Sequence, residues 1–266
     1  MKKIILYSFL IAIAASCVPA KKMIYLQPEE QESSDKVFTY DRQEYLLQVN
    51  DILDVQIKSM NPDVNAIFSG QSLATAQTAQ ASSQSGGDLY YMSGYSVDHQ
   101  GDISIPFVGE ISVAGLSLAQ AEKQIDSSVA LLFSNYALQV KLGGIRFSAL
   151  GEFNTPGKRV VLQNQATIFE AIALSGDLTQ LARRDQVKLI RQYPQGTKIH
   201  SLNLLDQSII GSPFYFIQPN DVLYAEPLPQ KSYGLGVNGA QTISTLVGVL
   251  GSSLAVTLSV LSLTRP

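Results

Sequence analysis

YSVDHQGDISIPFVGEISVAGLSLAQAEKQI, residues 95–125, changes character midway. Its first half reads as short strands, with turns at Gln100-Gly101 and Val108-Gly109. Pro106 cannot donate to a ladder and marks an edge position or a bulge. Ser117 then opens a helix as N-cap, with Gln120 three residues on as its capping-box partner. Leu118, Ala121, Ile125, Val129 and Leu132 follow at helical spacing. Tyr136, Leu138, Val140 and Leu142 restore the alternation of a strand. Strands, one helix and a closing strand make a compact α+β domain.

Upstream, YLLQVNDILDVQIK (45–58) gives a strand, an Asn50-Asp51 turn and a second strand. In the latter Leu53, Val55 and Ile57 share one face, and Asp54, Gln56 and Lys58 the other. Residues 69–87 are Ser, Gln, Ala and Gly with almost no large apolar side chain. Such a segment cannot offset its ordering entropy by burial and is expected to be a mobile loop. Residues 17–40 are polar, carry Pro28 and the acidic Glu29, Glu30 and Glu32, and read as a tether. At the start, Lys2 and Lys3 precede the apolar run Ile4 to Ala15, and Ala14-Ala15-Ser16-Cys17 follows. Residues 1–16 are expected to be a signal peptide. Cys17 is the only cysteine, so no internal disulfide forms. The stretch resembles a lipobox with Cys17 as the lipid-bearing residue; the plainer reading is an ordinary signal peptide with a chance cysteine.

Downstream, Gly143-Gly144 punctuates the chain. FSALGEFNTPGKRVVL (147–162) reads as two strands joined at Thr155-Pro156-Gly157. Thr167 and Glu170 form another capping box, opening a short helix that Gly176 closes. VKLIRQY (187–193) and TKIHSLNL (197–204) flank Pro194-Gln195-Gly196 as a hairpin. FIQPNDVLYAEPLP (216–229) closes the unit. Its Asn220-Asp221-Val222-Leu223 echoes Asn50-Asp51-Ile52-Leu53, each placing a turn before a strand. Asp51 and Asp221 are expected to bond nearby backbone amides.

The tail, TISTLVGVLGSSLAVTLSVLSL (242–263), is uncharged. As a helix, 242–264 would run about 34 Å at ~1.5 Å per residue, against a bilayer core of about 30 Å. Ser244, Gly248, Gly251, Ser252, Ala255, Ser259 and Ser262 form one small, weakly polar stripe that could pack between helices or face a wet lumen. Leu254, Val256, Leu258 and Val260 also alternate, so a strand competes. A third reading is a helix buried inside its own soluble fold.

Composition limits the chemistry. Net charge is −3 over 266 residues, so no basic field for nucleic acid is evident. Two histidines, His99 and His200, lie in separate units and do not make a zinc site. No Gly-x-Ser-x-Gly elbow is present. Arg183-Arg184 could bind phosphate or an acidic sugar; the plainer reading is a solvated loop. Gly234-x-Gly236-x-x-Gly239 has the spacing of a dinucleotide loop but no acidic residue about 20 positions on, and reads as a joint before the tail. Asp51, Asp54 and Asp102 sit by turns and read as structural. No catalytic residue, metal site or cofactor is assigned, and the chain is not read as an enzyme.

In order along the chain, these motifs resemble the outer-membrane polysaccharide export family, the Wza-type capsule translocons. The export-domain pattern is carried by Tyr45-x-x-x-x-Asn50-Asp51-x-Leu53-x-Val55, by Tyr95-x-Val97 through Gly101-Asp102, Ile103-x-Ile105-Pro106 and Val108-Gly109, and by Val113-Ala114-Gly115-Leu116-Ser117. The second unit is similar to a SLBB domain, a β-grasp-like soluble ligand-binding module. It carries Leu150-Gly151-Glu152, Pro156-Gly157, Ile168-x-Glu170-Ala171-Ile172 and Pro219-Asn220-Asp221-Val222. Asn50 and Asn220 stand where Gly is usual, and Asn tolerates the left-handed backbone. The resemblance implies an export domain over 41–144, a SLBB domain over 145–229, and a linker and membrane helix over 230–266. It further implies a lipoprotein of the outer membrane, mostly periplasmic, assembled as a homo-oligomeric ring (an octamer) whose C-terminal amphipathic helices cross the membrane. Capsular or exopolysaccharide would pass through, driven by an inner-membrane co-polymerase of the tyrosine-kinase type. The alternative from another class is a periplasmic SLBB-type binding lipoprotein that forms no channel.

Overall fold

The alternation of ILDVQIKS becomes strand β1 (Ile52–Ser59), with Leu53 and Ile57 buried and Gln56 and Lys58 exposed. The computed structural model describes residues 20–28, 37–39, 44–62 and 93–232, with isolated positions at 64, 65, 68, 247–249, 251–253 and 255. The expected signal peptide, Cys17, the loop 69–87, the glycines of 234–239, and Ser244, Ser259 and Ser262 lie outside the described residues. The chain is mixed α+β and strand-rich.

β1 pairs antiparallel with β2 (Tyr95–Ser96) and, over seven residue pairs from Leu53–Leu142 to Ser59–Tyr136, with β5 (Tyr136–Leu142). β3 (Asp102–Ile105) and β4 (Gly109–Ser112) form a hairpin, with Pro106 in its turn. Helix α1 (Leu118–Ala130) begins at the Ser117 capping box and buries Ala121, Ile125 and Val129. Leu132, placed on the same stripe by spacing, lies beyond the helix end and is 55% exposed. These elements enclose one core around Leu53, Val97, Ile103, Ile125 and Val140. The segment before Asn50 is not a strand: it makes a single bridge, Leu46 to Ser117. The backbone there is instead pinned by the Gly115 N–H, which donates to the Leu47 carbonyl at 2.8 Å.

Only Gly143 and Gly144 separate β5 from β6 (Ile145–Gly151). β6 pairs antiparallel with β7 (Gly157–Val161). β8 (Ala166–Thr167) precedes helix α2 (Ile168–Leu174), which starts at the Thr167–Glu170 capping box. β9 (Ala182–Tyr193) and β10 (Gly196–Leu202) form the expected hairpin. β11 (Phe216–Ile217) pairs with β8, and β12 (Asp221–Pro227) runs parallel to β6 and antiparallel to β9. The result is a five-stranded mixed sheet, β10-β9-β12-β6-β7, over a second core containing Phe147, Ile168, Leu189 and Leu223. Leu142 packs against both cores.

The tether reading of 17–40 needs correction at 20–28. Tyr25 and Leu26 pack on the second core, and the Leu26 N–H donates to the Leu204 carbonyl at 3.2 Å. Tyr25 meets Phe169 edge-on at 5.9 Å, and its hydroxyl donates to Asp177 at 2.6 Å. Two aromatic rings supply enough apolar burial to hold a segment whose composition is otherwise polar.

In the tail, residues 247–249, 251–253 and 255 are helical and exposed. Gly248, Gly251, Ser252 and Ala255 of the small-residue stripe are among them. Among the described residues, no helix is long and apolar enough to cross a membrane.

Candidate functional site

The echoed tetrads build the same device twice. Asn50 and Asn220 both take the left-handed backbone, with φ 72° and 66°. Each turn closes on a carboxylate: the Gln48 N–H donates to Asp51 Oδ2 at 2.8 Å, and the Gln218 N–H to Asp221 Oδ2 at 2.7 Å. The shared motif is therefore Gln-x-Asn-Asp, one residue type longer than the echo noticed in the sequence. The two turns then meet at the junction between the sheets. Arg146 Nη2 donates to the Asn50 carbonyl at 3.0 Å, and the Arg146 carbonyl accepts from the Asn220 N–H at 2.6 Å. Asn220 Nδ2 lies 3.5 Å from Asp51 Oδ1.

The carboxylates differ in what neutralises them. Asp221 is fully buried and forms a two-pronged ion pair with Arg191, Nε to Oδ1 at 3.0 Å and Nη2 to Oδ2 at 2.7 Å. Asp51 is equally buried but accepts from the Tyr45 hydroxyl at 2.7 Å. Burial raises the pKa of both carboxyls, outweighing the hydrogen bonds that favour the charged form. Burial, and next the Asp51 charge, pushes the Tyr45 phenol far above its ordinary range.

Beside the junction lies a cleft of about 280 Å³ lined by both halves of the chain. Leu47, Leu118 and Ile145 supply apolar surface. Tyr45, Tyr193 and Phe214 supply aromatic rings, and Arg191, Asn164 and Gln218 supply polar groups. The wall is braced from behind. The Tyr193 hydroxyl lies 3.1 Å from His200 Nε2, and the His200 ring lies against Phe214 at 4.1 Å between centroids, inclined by 30°. Burial, then the nearby Arg191 and Lys198 charges, lowers the His200 pKa and favours the neutral imidazole.

Of the motif residues singled out in the sequence, Asn50, Asp51, Asn220 and Asp221 come together, with Tyr45 bonded to Asp51 and Pro219 lining the cleft beside them. Gly101 and Asp102 belong to a turn held by Asp98, whose Oδ1 accepts the Asp102 and Gln100 N–H groups. Gly109 closes the β3–β4 turn, and Gly115 fixes the backbone that carries Tyr45. Gly151, Pro156 and Gly157 sit at the β6 and β7 ends, and none of these lines the cleft. His99 lies in an exposed turn. Among the described residues, no cluster of three His, Cys, Asp or Glu side chains could hold a metal ion.

The solvated-loop reading of Arg183-Arg184 is wrong. Both lie on β9; Arg183 pairs with Glu226 at 3.5 Å, and Arg184 is buried beneath the Tyr25 ring at 5.3 Å. The alternation of β9 slips in phase between Ala182 and Val187, opposite a register shift in β12. Two arginines thereby reach the buried side of one strand. Arg191, Tyr193 and Phe214 went unremarked in the sequence. A signal existed for the first: in VKLIRQY, Arg191 holds the phase of Val187 and Leu189, so a charge occupies a core position and implies a buried partner.

The half that carries the first turn has relatives. Residues 39–143 match the family described as polysaccharide biosynthesis/export protein, which supports the resemblance to the polysaccharide export family. Over 222 residues it is 25% identical to the EPS I polysaccharide export outer membrane protein EpsA of Ralstonia nicotianae, covering 78% of this chain and 56% of that protein. The chain thus spans little more than half the length of that relative.

Proposed function

We propose that the protein is a subunit of an outer-membrane ring channel that exports capsular or exopolysaccharide. The observation that carries this reading is the export-family match over 39–143. The relative named as an outer membrane polysaccharide export protein supports the location. The N-terminal sequence supports a lipid anchor at Cys17. In the tail, helical backbone at Gly248, Gly251, Ser252 and Ala255 favours a helix over a strand, with small residues on one stripe. The mixed sheet packed on α2 supports a β-grasp-like SLBB reading of the second unit. In this reading the chain assembles as a homo-oligomeric ring, carries no catalytic step, and works with an inner-membrane co-polymerase.

A clean gene deletion tests it. Polymer synthesis should continue while surface display is lost; normal surface polymer in the deletion strain refutes the reading. Truncation after Leu235 should leave a folded, anchored protein that no longer transports, and full export by the truncated chain refutes the tail assignment. The cleft favours one rival, a periplasmic binding lipoprotein. Native mass measurement of detergent extracts separates the two, since rings support the channel and monomers the binding protein.

A further inference from the structure

The cleft between the two sheets has the chemistry of a carbohydrate site, and we propose that it is a subsite for one or two neutral sugar rings of the exported glycan. The inference rests on the export reading for the source of the ligand, and on the cleft itself for the ligand's chemistry.

Size comes first. At about 280 Å³ the cleft is at the lower end of small-molecule sites, roughly 300–1,000 Å³. It suits a short stretch of sugar, not a folded partner. Surface chemistry comes second. A pyranose presents a C–H face and a rim of hydroxyls, each both donor and acceptor. The cleft matches both needs: rings of Tyr45, Tyr193 and Phe214 for the face, and the amides of Asn164 and Gln218 for the rim. Both tyrosine hydroxyls are engaged, Tyr45 with Asp51 and Tyr193 with His200. These side chains therefore offer ring surface, and they are held in place before anything binds.

Charge selects among sugars. Arg191 lines the cleft but is neutralised by Asp221, and the other charged lining residue is Glu44. No net positive charge faces the space, so an anionic sugar gains nothing there. Arg191 adds a more specific feature. Its Nε and Nη2 serve Asp221 and the Phe216 carbonyl, but Nη1 has no hydrogen-bond partner among the described residues. Nη1 is not sealed from solvent, so it is a donor open to a ligand in the cleft. A sugar hydroxyl in the cleft supplies the acceptor.

The test uses the full-length chain in a zwitterionic detergent without a sugar headgroup. The probes are lactose, maltose, cellobiose and short neutral fragments from partial hydrolysis of the host's own surface polysaccharide, with glucuronate as the acidic control. Saturation-transfer NMR and calorimetric titration read binding. At least one neutral probe should bind with millimolar affinity and glucuronate more weakly. Tyr193→Leu should weaken binding about tenfold, equal to ~1.4 kcal/mol. Because Tyr193 also braces His200, Asn164→Ala is the second variant; Asn164 is exposed and its loss leaves the cores intact. Binding by no neutral probe, tighter binding of glucuronate, or unchanged affinity in both variants overturns the proposal. The export reading fails separately. Saccharide binding together with normal surface polymer in the deletion strain would sink the channel and leave the subsite; lost surface polymer without binding would do the reverse.

Discussion

Replacing Asp221 by Asn should destabilise the protein far more than replacing Asp51 by Asn, although the two sit in matching turns. In both cases the amide oxygen can still accept from the backbone, from Gln48 or from Gln218. The difference is the counter-charge. Asp221→Asn leaves Arg191 buried at 3% exposure without its anion, and breaking a buried pair in this way costs about 3–5 kcal/mol. Asp51→Asn strands no buried cation, since its hydrogen-bond partners include Tyr45 and a backbone amide, and Arg146, whose charge acts on it, is only half-buried. It weakens charge-assisted bonds but relieves a buried charge, and the net change should stay within about 1 kcal/mol. At roughly 2–4 °C per kcal/mol for a folded chain of this size, the first variant should lower Tm by more than ~6 °C. Thermal unfolding of the full chain followed by circular dichroism measures both. Adding Arg191→Met to Asp221→Asn should restore at least half the loss, because it removes the orphaned charge. Equal losses in the two single variants, or no recovery in the double variant, would refute the account of the turns.

Gly151→Ala should cost about 3 kcal/mol or more. Its φ is +84°, and a Cβ would run into the Ala225 carbonyl where β6 meets β12, so urea unfolding should show a lower midpoint. Tyr25→Ala should cost about 2 kcal/mol and release the 20–28 strap, because the ring touches Phe169 and covers Arg184. Hydrogen exchange should rise at 20–28 while the β1 and β12 amides stay protected. His200 gives a pH signature. Its pKa is lowered from 6.5 in the folded chain, so on acidification the unfolded chain takes up the proton first and stability falls as pH drops through about 6.5. His200→Gln should remove that component, so the Tm of the wild type should fall more than that of the variant between about pH 7.5 and about pH 5.5.

Local signals carried far in this sequence. The change from alternation to 3.6-residue spacing at Ser117, the two capping boxes and the Pro194-Gln195-Gly196 hairpin all correspond to observed elements. Each is decided by neighbours a few residues apart. The relations that make the cleft are decided by residues far apart in the chain, such as Arg191 with Asp221 and Arg146 with Asn50. Alternation could show that Arg191 falls in a core phase, but not which carboxylate meets it. The 20–28 strap was missed for a related reason. Its composition is that of a tether, and its order comes from Phe169 and Arg184, more than a hundred residues away.

The same long-range contacts bear on how the cleft works. A hinge between the two sheets would need a free joint, and Gly143-Gly144 offers one by composition. Yet the Gly143 N–H donates to the Ile52 carbonyl at 2.7 Å, and Leu142 belongs to both cores. Arg146, two residues further on, holds one turn through its side chain and the other through its carbonyl. Opening the joint would break these bonds together and expose Asp51, whose carboxylate is buried partly by the other half of the chain. The cleft is therefore preformed, with a shape fixed by the two turns. A ligand entering it meets rings already in place, so little ordering opposes binding, but little closure follows to retain it. Weak, rapidly reversible contact is what such a wall can provide.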